Sequence, residues 1–203
     1  MMVLGITGCP GSGKSILANI VARHGWMLID ADEIGREVVE NNHGVLDELA
    51  DVFGADIINS EGKLDRRLLA VRAFSHRSKT RMLNEIVHTR LIERLKTKIS
   101  DIRSQNNDCV VDCALIIEWG IEKLFDIVVC VASDEHLRKK RLIDRDGRTP
   151  EEINGMFAAQ LSEDEKIKKA DIVINNKESI EKLTLFGKML SGLPGYCDGG
   201  GDG

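Results

Sequence analysis

The chain has 203 residues, 42% hydrophobic, 30% charged and 4% aromatic, with a formal net charge of −5. At this length one domain can bury roughly 70% of the unfolded surface, so an aliphatic core needs no disulfide or metal staple. The acidic balance argues against a general nucleic-acid or membrane-surface binder, and the few aromatics argue against base-stacking platforms for single strands.

Met1 to Thr7 form a short, mostly apolar stretch without a basic n-region, a long apolar core or a cleavage pattern, so no signal peptide is expected. No apolar run approaches the roughly 20 residues that a membrane helix needs. Continuous apolar runs predict strands at Val3–Thr7, at 27–29 ending on Asp30, at 109–111 extending to 117, at Ile127–Ala132 and at 172–174. Runs that are continuous rather than alternating fit strands covered on both faces of a parallel sheet. Leu83, Val87, Leu91, Leu95, Ile99 and Ile102 mark one stripe of a long amphipathic helix, and Ile180, Leu183, Phe186 and Leu190 mark another.

Strand–helix alternation gives an α/β fold: a doubly wound parallel sheet of about five strands. The expected core is 1–31, 105–134 and 170–194. Residues 32–104 form an inserted helical subdomain, 135–169 a lid, and 195–203 a flexible glycine-rich tail. The five cysteines (Cys9, Cys109, Cys113, Cys130, Cys197) show no metal-ligand spacing and read as reduced thiols of a cytoplasmic protein.

Between the first strand and the first helix, Gly8-Cys9-Pro10-Gly11-Ser12-Gly13-Lys14-Ser15 fits G-x-x-x-x-G-K-[ST], the P-loop pattern. Glycines such as Gly11 and Gly13 let backbone N–H groups turn inward as an anion nest, and the helix behind aims its N-terminus at the same point. Lys14 suits the β- and γ-phosphates and the Ser15 hydroxyl suits Mg²⁺. A guanine-reading Asn/Thr-Lys-x-Asp element does not occur, and the compact chain with an insertion and an arginine-bearing segment has the shape of a small-molecule kinase.

At the carboxyl edge of the second strand stand Asp30 and Asp32, where one acid can accept a hydroxyl proton and another can hold a metal-bound water. Asp32 also suits the N-cap of a helix over 33–40. Asp112, closing an apolar run, resembles a short Walker B acid that could hold Mg²⁺ through water. Further on, Arg141 and Arg145 share a helix face in a basic cluster broken by Gly147 and Pro150, a composition suited to a lid that bridges phosphate oxygens. His88 lies on the long helix, where a lone histidine is more often structural. On residues alone, a nucleoside monophosphate kinase and a non-catalytic nucleotide-binding switch stay open beside other acceptors.

Taken in order, the motifs resemble the dephospho-CoA kinase family from residue 3 to about 186. The resemblance is carried by the P-loop at 8–15, by Asp30-Ala31-Asp32 followed by Arg36-Glu37-Val38-Val39, by Phe53-Gly54, and by Gly62-x-Leu64-Asp65-Arg66. Leu83-x-x-Ile86-x-His88, Leu115-Ile116-Ile117-Glu118, Arg141, Arg145-Asp146, Gln160 and Ala170-Asp171 through Asn176 complete it. It implies ATP and Mg²⁺ with dephospho-CoA as the acceptor, Asp32 as base, and Lys14 and Arg141 as further catalytic groups. It implies a nucleotide site of Gly11, Ser12, Gly13, Lys14, Ser15, Ile16, Arg145 and Asn176. Asp32, Arg36, His88, Leu115 and Glu118 would hold the acceptor, with no obligate protein partner implied. The chain departs from the family pattern at Ile16, Thr89, Ala114 and Met156, where a Thr, two Pro and an Arg are usual.

Overall fold

The computed structural model describes residues 1–40, 42–177 and 180–193, so the tail 195–203 and Cys197 lie outside the described residues. β1 (Val3–Thr7) lies between β3 (Cys109–Asp112) and β4 (Ile127–Ala132), with β2 (Met27–Asp30) and β5 (Ile172–Asn175) at the edges of one parallel sheet. The register aligns Ile6 and Asp30 with Asp112, and Thr7 with Cys130. Two acids and the start of the glycine-rich loop therefore share the carboxyl edge of the sheet.

Alternation along each central strand divides the core. Val3, Ile29, Cys109 and Val111 pack on one face against α2 (Ala31–Glu40) and α5 (Arg77–Ser104). Leu4, Ile6, Val110, Val129 and Val131 pack on the other face against α1 (Lys14–Ala22) and α9 (Ile180–Ser191). The central strands are covered on both faces, as continuous apolar runs predict. At the edge the outcome differs: Met27 and Leu28 remain 45% and 40% exposed, because an edge strand has one neighbour and incomplete helix cover.

Between β2 and β3 run α2, α3 (His43–Phe53), α4 (Arg66–Ala73) and α5, closing on a separate core of Val45, Leu49, Phe53, Ile57 and Leu69. An isolated antiparallel bridge from Ile58 to Leu64 is the nearest approach to a strand among these described residues. The expected stripe on the long helix is real: Leu91, Leu95 and Ile99 are buried. Between β4 and β5 run α6 (Glu135–Asp146), α7 (Pro150–Ala158) and α8 (Glu163–Ile167). Gly147 ends α6 in the left-handed region at φ 61, and Thr149 with Glu152 forms a capping box in front of Pro150.

The third strand stops at Asp112 and does not extend to 117. Residues 114–120 instead fold back on themselves, with the amides of Trp119 and Gly120 donating to the carbonyls of Leu115 and Ile117. Ile116 and Ile117 are apolar because this turn buries them in the core, not because they belong to a strand.

Candidate active site

The glycine-rich loop leads directly into α1, whose N-cap is Gly13 at φ 101. No side chain caps this end and no acid occupies its first turn, so its first N–H groups remain available to an anion. A Cβ on Gly13 would stand 2.5 Å from Asn176 Nδ2, and one on Gly11, at φ 77, would stand 2.7 Å from the Arg138 carbonyl. These are positions that only glycine fills without strain.

Above the loop opens a cavity of about 570 Å³, walled by residues that include Gly11, Ser12, Gly13, Lys14, Ser15 and Ile16. Arg141, Arg145, Asp32 and Leu115 line it from the other sides. Lys14 Nζ lies 3.1 Å from Asp112 Oδ1 and 3.4 Å from Ser15 Oγ. Asp112 is 6% exposed, and the Lys14 ammonium is the charged partner of its buried Oδ1. A second cavity of about 460 Å³ lies under α2 and α5. Arg36, Val87, His88 and Trp119 line it, again with Asp32 and Leu115. Asp32 and Leu115 are thus the threshold between the two spaces.

Asp30, and not Asp32, caps α2: its Oδ1 accepts from the amides of Asp32 at 2.8 Å and Glu33 at 3.2 Å. The helix begins two residues earlier than 33, at Ala31, which moves the capping position back onto Asp30. The Asp32 carboxyl reaches solvent through the cleft, yet the surrounding walls displace enough water that desolvation is the largest influence on it and raises its pKa. Lys14 pulls the value down, Asp30 and Asp112 push it up, and Arg36 pulls it down.

Other expected site residues are drawn into the framework. Arg141 donates to the carbonyls of Gly11 (3.2 Å), Ser12 (3.4 Å) and Asn176 (3.2 Å) and to Ser133 Oγ at 3.1 Å. Asn176 does not line the nucleotide cavity; its Nδ2 donates to the Ser12 carbonyl at 2.7 Å and braces the loop from below. Arg145 lines the cavity, with its guanidinium on Asp146 at 2.7 and 2.8 Å. Glu118 lines neither of these two cavities, since its Oε1 accepts from Lys166 Nζ at 2.7 Å and from the Leu161 amide at 3.0 Å.

Sequence reasoning missed Lys166, which is fully buried, and two aromatic walls of the second cavity, Phe74 and Trp119. Aromatic scarcity was a signal for the last two. A lysine in a charged helix carries none, since its burial depends on a turn some fifty positions away in the sequence.

A parallel sheet of this order, with a P-loop after its central strand and a second cavity beside it, defines a P-loop kinase. The chain belongs to the dephospho-CoA kinase family, whose model matches residues 2–182. It is 36% identical over 184 residues to the dephospho-CoA kinase of Corynebacterium glutamicum, covering 90% of this chain and 92% of that one. The crystal structure of a Thermus thermophilus protein superimposes with a TM-score of 0.76 at 30% identity, covering 96% of this chain and 98% of the other. A dephospho-CoA kinase from Campylobacter jejuni shares the fold at a TM-score of 0.60 and 22% identity, covering 93% and 94%.

Proposed function

We propose that the protein transfers the γ-phosphoryl group of ATP to the ribose 3′-hydroxyl of dephospho-CoA, giving CoA and ADP. The observation that carries this reading is the position of Asp32 on the wall of both cavities, one built to hold polyphosphate and the other partly apolar. A carboxylate there faces acceptor and donor at once. It takes the hydroxyl proton while the acceptor oxygen bonds to the γ-phosphorus and the bond to the ADP oxygen breaks.

The P-loop amides and the α1 N-terminus hold the phosphates, and Lys14 exchanges Asp112 for the β- and γ-oxygens. Arg141, already fastened to loop carbonyls, keeps the nest in shape as a static cation. Arg145 is the cation that turns from Asp146 onto phosphate. Arg36 and His88, with Leu115 and Trp119, receive the acceptor.

Magnesium fits this site as a companion of the nucleotide. Among the described residues no cluster of three or more His, Cys, Asp or Glu could hold a metal alone, but Mg²⁺ typically takes one or two protein groups and completes its shell with phosphate and water. Ser15 Oγ and the buried Asp112 would supply those groups, with the second oxygen of Asp30 at the same sheet edge. Bound there, the ion would offset charge on the phosphate oxygens. Four buried, reduced thiols among the described residues support a cytoplasmic location.

The test is a coupled ADP-release assay with dephospho-CoA against nucleoside monophosphates. Turnover with dephospho-CoA is expected. Turnover with a nucleoside monophosphate alone, or ATP binding with no turnover on either acceptor, would overturn the assignment.

A further inference from the structure

Lys166 is the largest fully buried side chain of the described residues, and the phosphoryl-transfer chemistry makes no use of it. A buried ammonium is expensive unless fully satisfied, so the groups that satisfy it are informative. Its Nζ donates to the Ala114 carbonyl at 2.6 Å and to Glu118 Oε1 at 2.7 Å. Both acceptors lie on the turn that follows β3, one at its start and one near its end. Ala114 O also accepts from Thr7 Oγ1 at 3.0 Å, the last residue of β1 before the phosphate loop. Glu118 Oε1 also accepts from the Leu161 amide at 3.0 Å, where the chain leaves α7 just after Gln160, a wall residue of the nucleotide cavity. The turn itself carries Leu115 into both cavities and Trp119 into the wall of the second.

The geometry points to Lys166 as a positioning residue for acceptor binding: its ammonium fixes the turn bearing Leu115 and Trp119, and Glu118 ties that turn to Leu161, just after α7. This deepens the kinase reading and rests on the second cavity being the acceptor's. Lys166 touches neither cavity and acts only through the turn. Ala114 needs this external support because its carbonyl, the point where strand becomes turn, is otherwise held by Thr7 alone among the hydrogen bonds described.

Lys166→Met alone would leave Glu118 buried without its cation and could unfold the protein, so the decisive variant is Lys166→Met/Glu118→Gln. It removes both charges while keeping an oxygen acceptor for the Leu161 amide. In a Trp26→Phe background, Trp119 is the sole tryptophan and reports on the turn directly. The double variant should fold, bind ATP within about twofold of the parent and keep kcat within about threefold. Its KM for dephospho-CoA should rise roughly tenfold to a hundredfold, the range of one lost charged hydrogen bond, and iodide should quench Trp119 more strongly.

Unchanged KM and unchanged quenching in the double variant would overturn the inference. So would an equal loss of ATP affinity, or failure to fold, either of which makes the pair a general stabiliser. If the parent itself gave no turnover with dephospho-CoA, the kinase reading would fail, while the quenching comparison would still decide whether Lys166 sets the turn.

Discussion

Asp32 and Asp30 stand two positions apart and do different work, because one backbone amide after another is satisfied by Asp30 while the Asp32 carboxyl faces the threshold between cavities. Asp32→Asn should preserve ATP affinity and lower kcat by about 10²- to 10⁴-fold, the usual worth of a general base. Near-wild-type turnover would remove Asp32 from the chemistry. A base acts in its ionised form, and this carboxyl is raised above the ordinary value of 3.8 by burial and by Asp30 and Asp112. Activity should therefore fall on acidification at a higher pH than an exposed aspartate would give. The kcat/KM profile reports this for the free enzyme, and an acid limb at or below that ordinary value would contradict the assignment. On the loop, Gly13→Ala combines a strained left-handed φ with a Cβ aimed at Asn176 Nδ2. With about 1–3 kcal/mol at stake, calorimetry should find ATP affinity lower by about fivefold to 150-fold.

At the scale of elements, the segment between β4 and β5 depends on how α7 begins. Thr149 Oγ1 accepts from the Glu152 amide and Glu152 Oε2 accepts from the Thr149 amide, so Thr149→Ala strips the Glu152 amide of its cap while the backbone donor at 149 keeps its carboxylate. A loss of about 0.5–2 kcal/mol in urea unfolding is expected. An unchanged midpoint would show that α7 is held by its buried Ile153 and not by its cap. Legibility from sequence followed the range of the interactions. The phosphate loop, the break at Gly147 and Pro150 and the stripe on α5 were readable because each is set by neighbours within a turn or two. The end of β3 was not, since Ile116 and Ile117 are as apolar as the strand before them and only the fold distinguishes a buried turn from a buried strand. Nor was the division of labour among the cations. Whether Arg141 donates to loop carbonyls and Arg145 to Asp146 depends on how far each turn of α6 stands from the loop.

At the scale of the molecule, three cysteines lie within the sheet strands or at their ends, and burial pushes Cys109 up to about 11 and Cys113 and Cys130 up to about 12. Unfolded, the same thiols ionise near 9.0. Below that value they are neutral in both states and their contribution is intact. As the pH climbs from there toward 12 the unfolded chain ionises first and stability falls. Urea midpoints should hold steady up to about pH 9 and then drop; a midpoint that rises through that window would contradict the burial. The arrangement of strands has a consequence for synthesis as well. β1 pairs only with β3 and β4, and the whole helical insertion is made between β1 and the first of them. As the chain leaves the ribosome, the first strand must wait, with its apolar flanks uncovered, until the helical insertion has been translated. Pairing over such separations is slow and exposes a nascent chain to aggregation, so the segment that later cradles the phosphates carries that exposure longest.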